Sequence, residues 1–289
     1  MDWITGMQKA IDYIEAHLTD DIDYREIASN GFYSCYHFQR MFSILCGYTL
    51  GEYIRLRRLS VAGAELASGK EKVIDVALKY GYDSPDSFAK AFQKFHGITP
   101  SQARTGGATL KSFSRLHIKI SLEGGSTMQY KMEEKEAFYV LEKVETHSVE
   151  NGQNQTSVPA FWERAYADGT MDTLQALAKE NAYIFGICYG SADKDAQTFA
   201  YSIAVQCNES TAVPDGFRKT HIPARTWLTF GCVGAMPNAI QDAWQKIVSE
   251  FFPNADYVPT GEMDIEAYTD GDSDSSDYYS EIWVPIQKK

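Results

Sequence analysis

The sequence predicts two domains of different class. The first is an all-α N-terminal domain with two helix-turn-helix units joined by a long helix. The second is an α+β C-terminal domain of duplicated β-β-α-β-β units. Three observations predict this. The stretch SCYHFQRMFSILCG at 34–47 returns fifty residues later as SPDSFAKAFQKFHG at 84–97, so that Ser34, Phe38, Phe42 and Gly47 map onto Ser84, Phe88, Phe92 and Gly97. Between the copies, residues 50–67 keep helical spacing of apolar positions. Beyond residue 127 the pattern changes to strand-like runs broken by helical stretches, and that succession occurs twice.

Met7 to His17 reads as an amphipathic helix with Ile11 and Ile14, followed by Leu18, on one side. Asp20, Asp21 and Asp23 precede the next helix, where acidic groups suit the positive N-terminal end. Ile22, Ile27 and Ala28 are expected to pack inward, and the turn at Asn30–Gly31–Phe32 leads to Ser34, which can cap a helix start. Phe38, Met41, Phe42 and Leu45 form one apolar face and leave Tyr36, His37, Gln39, Arg40 and Ser43 off it; Gly47 stops the helix. The long helix 50–67 carries apolar surface toward both neighbours (Tyr53, Ile54, Leu56, Leu59, Val61, Ala62, Leu66) and a basic cluster, Arg55, Arg57 and Arg58. The second unit starts at Val73. Its Ser84–Pro85 combines a capping serine with proline at the first helical position. Asp86, Ser87, Lys90 and Lys94 lie off the face of Phe88, Phe92 and Phe95.

The groups off the apolar face of 34–47 suit base-edge recognition in DNA, since Arg40 can bond guanine bidentately and Gln39 can bond adenine. Tyr36, Gln39 and Arg40 are expected to supply most base specificity. Asp86 repels phosphate, so the second unit is the poorer reader. Arg55, Arg57 and Arg58 are read either as phosphate contacts, which position without reading sequence, or as a solvated helix face. Taken singly, Tyr36 is equally a half-buried aromatic, Gln39 a surface amide and His37 a packed ring.

At 289 residues two domains are expected. The 44% apolar content contains no run of the roughly 18 residues that suggests a membrane helix. The N-terminal MDWITGMQKAID lacks the basic end and apolar core of a signal peptide, so a cytoplasmic location is expected. Cys35, Cys46, Cys188, Cys207 and Cys232 are scattered without metal-ligand spacing and read as free thiols, with a redox-sensing cysteine as the lesser alternative. Net charge is −12. Residues 1–120 hold 15 Lys+Arg against 13 Asp+Glu, net +2, which leaves 12 against 26, net −14, for the remainder. The acidity therefore sits away from the expected DNA surface, whose weak positive field implies modest, salt-sensitive non-specific binding. With no Ser-His-Asp arrangement, phosphate loop or metal cluster, no catalytic residue, metal or cofactor is expected.

The motifs HFQRMF at 37–42, GYTLGEYIR at 47–55, ALKYGYDS at 77–84 and FAKAFQKFHGITP at 88–100 resemble the AraC/XylS family of bacterial transcription regulators over residues 7–106. The usual turn glycine aligns with Phe32, and Gly31 sits one position early. The resemblance makes Ser34, Tyr36, His37, Gln39, Arg40, Arg55, Arg57, Arg58, Ser84, Asp86, Ser87 and Lys90 the candidate DNA-contacting set. The domain is placed at 1–106.

Gly106–Gly107 and Gly124–Gly125–Ser126 bracket a linker, 107–127, with a short extended segment inside it. Strands are expected at 130–132, 138–144, 183–189, 199–206, 217–222, 226–233, 265–268 and 279–284. Helices are expected over 158–179, broken near Gly169, and over 239–251. PAFW at 159–162, Phe199 and Tyr201, IPARTW at 222–227, Trp244 with Ile247–Val248, IEAY at 265–268 and EIWVPI at 281–286 resemble the GyrI-like effector-binding domain of Rob/BmrR type over 128–289. That resemblance implies a central groove for amphipathic, often cationic small molecules, with Glu266 as the ligand-facing carboxylate. Trp162, Tyr201, Trp227, Tyr268, Tyr278, Glu281 and Trp283 are the candidates around it, although about half of such strand aromatics are expected to be core. A carboxylate on an aromatic floor is a sound cation receptor. The acidic loop 270–277 reads as solvated rather than as a calcium site.

The expectation is a sequence-specific, non-enzymatic DNA-binding transcription regulator, an activator, tuned by a small ligand. Its partners are promoter DNA, the effector and, as a further candidate, RNA polymerase, with no membrane partner. It would act as a monomer or homodimer. The alternatives are a small-molecule hydrolase using a groove glutamate and a drug-sequestering protein.

Overall fold

The structure, a computed structural model, describes residues 3–23, 26–27, 35–105, 107–118, 128–148, 153–180, 182–190 and 198–289. The chain divides into two compact units. One comprises Met1–Gly31 with Tyr48–Ser121, the other Phe32–Gly47 with Leu122–Lys289. The division at 121 falls within the expected linker. The placement of 32–47 departs from the expected boundary, because this segment groups with the sheet-bearing unit.

The helical unit holds α1 (Trp3–Ala16), α3 (Leu50–Ala67), α4 (Val73–Lys79), α5 (Pro85–His96) and α6 (Pro100–Ala103); α2 (Cys35–Cys46) belongs to the other unit. Met7, Ala10, Ile11 and Ile14 recur at 3–4-residue spacing and are all buried. α3 begins at a reciprocal capping box: Thr49 Oγ1 accepts from the Glu52 amide at 3.2 Å, and Glu52 Oε2 accepts from the Thr49 amide at 3.0 Å. α5 begins as expected at Ser84, which accepts from the Ser87 amide at 3.2 Å, and ends on left-handed Gly97. Phe88 and Phe92 pack with Leu59, Ala62, Leu66, Val76 and Tyr80 in one cluster. His96 is buried against α3. Its Nε2 faces the Leu59 carbonyl at 3.0 Å, and Nδ1 faces the Lys111 amide at 3.2 Å. Since a carbonyl only accepts and an amide only donates, the ring is neutral with its proton on Nε2. Burial lowers its pKa accordingly. A side chain at Gly63 would meet this ring at 2.7 Å.

The first part of the expected linker is a strap on this unit. The Phe113 amide donates to Ser60 Oγ at 2.9 Å, Leu116 to the Tyr53 hydroxyl at 3.3 Å and Ile118 to Gln8 Oε1 at 3.0 Å. The Phe113 ring stands edge-on to Tyr48 and Tyr53.

The sheet unit carries β1 (Tyr130–Lys135), β2 (Phe138–Ser148), α7 (Asn154–Ala167), α8 (Thr170–Leu177), β3 (Ile184–Tyr189), β4 (Thr198–Cys207), β5 (Arg218–Ile222), β6 (Arg225–Val233), α9 (Asn238–Lys246), β7 (Tyr257–Pro259), β8 (Met263–Tyr268) and β9 (Tyr279–Lys288). α9 runs on through a π-helical turn, Ile247–Phe251. The strands pair antiparallel in the order β1-β6-β9-β8-β3-β4-β2-β5, with β7 added to β9. The two halves exchange strands: β1 pairs with β6, and β2 with β5. Lys135↔Arg225 and Phe138↔Ile222 keep one register, so the two pairings form a single ladder bent at 136–137 and 223–224.

Side-chain alternation gives this sheet two faces. On one, Leu141, Cys188, Tyr201, Ile203 and Val205 pack under Phe161 and Ala165 of α7 and Met171 and Leu174 of α8. On the other, Phe185, Ile187, Ile265, Ala267, Trp227 and Trp283 meet Phe138 and Ile222 from the far end of the sheet, a core built from strands alone. Gly169, at φ +82°, makes the expected break between α7 and α8.

Candidate functional site

Strand β8 brings a carboxylate pair to the helix-covered face. Ile265 and Ala267 are fully buried in the strand-only core, so Asp264, Glu266 and Tyr268 face the other way. Glu266 lies opposite Gly186 of β3, and Asp264 opposite Cys188.

Both Glu266 oxygens have aromatic donors. Trp244 of α9 donates its indole N–H to Oε1 at 2.8 Å, and the Tyr268 hydroxyl donates to Oε2 at 2.8 Å. Beside them, Trp162 of α7 donates to the Tyr201 hydroxyl at 3.0 Å and stands edge-on to Tyr268, ring centres 5.4 Å apart. Gly186 makes room for this group: a Cβ there would lie 2.2 Å from the Tyr201 hydroxyl oxygen. Burial and the Glu266 charge hold the Tyr201 and Tyr268 hydroxyls well above the usual tyrosine range, so both are neutral, Tyr268 donating and Tyr201 accepting. Burial pushes Asp264 up, the nearby Arg40 opposes the rise and Glu266 adds to it, which together place it at about 6.

Arg40 comes from α2, which packs on α9 and the π-helical turn. Its Nη2 is 3.6 Å from Glu266 Oε1, its Nε is 4.0 Å from Asp264 Oδ2, and its guanidinium carbon is 4.6 Å from the centre of the Trp244 ring. A cation thus sits against two carboxylates and one indole face.

Of the residues expected to line the groove, Trp162, Tyr201, Glu266 and Tyr268 come together. Tyr278 lies beyond Tyr268 and donates to the Thr269 carbonyl at 2.8 Å. Trp227, Glu281 and Trp283 do not join them. The register Ala267↔Glu281 and Ile265↔Trp283 places these side chains on the opposite face. Trp227 is fully buried there, and Glu281 accepts from Tyr279 at 2.8 Å and Trp283 at 2.6 Å. Another carboxylate, the fully buried Glu142, has its own cation: Arg218 at 2.8 Å, with Tyr189 donating at 2.6 Å and Thr220 also bonded. Trp244 and Asp264 join the site without having been singled out as ligand contacts. The i,i+2 alternation with Glu266 was the signal for Asp264, whereas Trp244 arrives from a helix distant in sequence.

The expected DNA contacts divide sharply. Arg55, Asp86, Ser87 and Lys90 are exposed, and Ser84 is engaged as the α5 cap. Arg57 is a structural arginine: it pairs with Glu15 through two bonds of 2.8 Å and bonds the Phe113 carbonyl. Arg58 donates to the Leu18 and Asp20 carbonyls at 2.8 Å, tying the end of the first helical segment to α3. Neither presents a free phosphate-binding fork. Gln39 is 6% exposed and Arg40 is held at the carboxylates, so the outward presentation expected of both is not found in this conformation. Ser34, and the side chains of Tyr36 and His37, lie outside the described residues.

Among the described residues there is no metal-binding cluster, and no helix is long and apolar enough to cross a membrane. Cys46, Cys188, Cys207 and Cys232 are not in disulfides, and burial pushes the Cys46 thiol up to about 11 and Cys232 up to about 12. Neither is a poised thiolate, which removes the support for redox sensing at these two positions.

Residues 131–286 match the Cass2 family, described as integron-associated effector binding protein, and residues 27–106 match a helix-turn-helix domain family. The transcriptional activator AarP of Providencia stuartii is 40% identical over 109 residues, which are 38% of this chain and 81% of AarP. SoxS of Salmonella typhimurium is 36% identical over 98 residues, 34% of this chain and 92% of SoxS. The regulator Rob of the same organism is 35% identical over 104 residues, and that match spans 36% of each chain. A structure of SAV2435 bound to tetraphenylphosphonium is 26% identical, with a TM-score of 0.50, covering 55% of this chain and 94% of that one. The chain belongs to the AraC-type helix-turn-helix transcription regulators through its helical half and, over 131–286, to the integron-associated, GyrI-like effector-binding family.

Proposed function

We propose that this regulator couples promoter binding to occupation of the Glu266 cage by an amphipathic cation, and that it acts as an activator. The carrying observation is the cage itself. A carboxylate is fixed by Trp244 and Tyr268, beside Trp162 and Tyr201, and a positive group already rests against it. Charge attraction and ring-face attraction then act on the same guest, while the aromatic walls accept its apolar body. The tetraphenylphosphonium in the related SAV2435 structure supports this ligand class. Two helix-turn-helix units per chain support DNA binding by a monomer across successive major-groove turns, and RNA polymerase is the proposed further partner.

Binding rather than turnover suits this carboxylate, because both its oxygens are already engaged by donors from Trp244 and Tyr268. The test is calorimetric titration of the full chain with tetraphenylphosphonium, alongside a gel shift on the chain's own upstream region. Saturable cation binding that falls at least about tenfold in Glu266→Gln, with a DNA shift that resists competitor, is expected. Equal cation binding by both proteins, or a shift erased by competitor, contradicts the reading.

A further inference from the structure

We propose that Arg40 is the cage's resident cation, and that an exogenous cation and Arg40 exclude each other at Glu266, so that ligand binding releases α2. This deepens the proposed function and rests on it.

The residue is placed by its helix. Phe38 and Phe42 are fully buried and Met41 nearly so, and Arg40, one position before Met41, reaches the carboxylates of β8. There the guanidinium meets the three features a cationic ligand would use: the Glu266 carboxylate, the Asp264 carboxylate and the Trp244 ring. The groups involved are largely removed from water, with the Arg40, Asp264 and Glu266 side chains 17%, 15% and 19% exposed. Two acidic groups on one strand face without a cation would repel each other in that setting. The site therefore requires a positive charge, and α2 supplies one.

The seat is occupied at ion-pair range. Separations of 3.6 and 4.0 Å are ion-pair distances longer than a hydrogen bond. Arg57, by contrast, holds Glu15 at 2.8 Å twice, and Arg218 holds Glu142 at 2.8 Å. Those two pairs are direct hydrogen-bonded contacts, whereas the Arg40 guanidinium stands farther from both carboxylates of the cage. Arg40 is also the side chain that the sequence marks for guanine recognition, and a guanidinium seated on Glu266 cannot contact a base. Cation and DNA consequently favour the same released state, and each strengthens the binding of the other.

The experiment uses the full chain and tetraphenylphosphonium. Calorimetry compares wild type, Arg40→Ala, Arg40→Gln and Glu266→Gln, and hydrogen exchange follows the α2 amides. Vacating the seat removes an internal competitor, so Arg40→Ala and Arg40→Gln should each bind the cation about tenfold tighter or more. Saturating cation in wild type, or Glu266→Gln without cation, should speed exchange across 35–46 while protection in β3 and β4 stays unchanged. Unfolding midpoints identify a variant that fails to fold, and the second Arg40 variant then supplies the comparison. Equal or weaker binding by both Arg40 variants, or α2 protection unaffected by cation, overturns the switch while leaving the ligand reading intact. Absence of binding in wild type and both Arg40 variants overturns both.

Discussion

Trp244 donates its indole N–H to Glu266 at 2.8 Å while the same ring lies 4.6 Å from the Arg40 guanidinium carbon. One side chain therefore orients the anion and offers a face to the cation. Trp244→Phe keeps an aromatic face and deletes the donor, leaving Glu266 Oε1 short of its partner. The expected loss in cation affinity is about 1–2 kcal/mol, or roughly five- to thirtyfold, with the fold intact. Calorimetry beside a thermal melt checks this.

Asp264 makes stability depend on pH in an unusual direction. Its folded-state pKa is raised from 3.8 to about 6, so between those values the folded chain holds a proton that the unfolded chain has released. This group's contribution is largest below pH 4, is lost as pH rises toward 6, and is constant above. Asp264→Asn removes the dependence. Relative to wild type it should gain about 2–3 kcal/mol between pH 4 and pH 7. Urea unfolding of both proteins across that range measures it. Arg40→Ala should raise the Asp264 pKa further, because Arg40 opposes the rise.

Gly186 is the site's floor. A Cβ there would lie 2.2 Å from the Tyr201 hydroxyl oxygen and 3.5 Å from the Trp162 ring. Gly186→Ala must displace a buried tyrosine and should destabilise the fold by about 1–3 kcal/mol. It should also weaken tetraphenylphosphonium binding. An alanine variant with wild-type stability and affinity would count against this packing.

The three arginines of α3 should behave differently despite their adjacency. Arg57→Ala strands Glu15, whose side chain is 8% exposed, and should cost about 3 kcal/mol of stability. Arg55→Ala should change stability by less than about 0.5 kcal/mol. If Arg55 meets a phosphate, that variant reduces the salt slope of DNA binding by about one. Denaturant unfolding and DNA titrations at several salt concentrations separate the two roles.

Much of the fold was legible because local patterns determine it. The Ser84–Pro85 start and Gly97 end of α5, the break at Gly169 and the alternation of β8 each follow from residues within a few positions. The eight expected strands are all present, and the short β7 gave too brief a pattern to register. Long-range pairing was not legible in the same way. That Glu281 lies across the sheet from Glu266 depends on the β8–β9 register, and a one-residue slip would reverse it. Arg57 is not distinguished from its neighbours by local sequence, because Glu15, which holds it, lies 42 positions away. The strap at 110–118 read as linker because its bonds to Ser60, Tyr53 and Gln8 are non-local. Glu266 is legible because a charge inside an apolar strand needs a partner. Its partner, Arg40, sits 226 positions away on a helix whose sequence speaks of DNA.

The most direct measurement is fluorescence anisotropy of a labelled duplex from the chain's upstream region, titrated with full-length protein at fixed salt and excess competitor, with and without saturating tetraphenylphosphonium. The account predicts specific binding that tightens when the cation is present, and a Glu266→Gln protein whose DNA affinity no longer responds to it. Identical wild-type curves in the two conditions, or curves that competitor DNA abolishes, would contradict it.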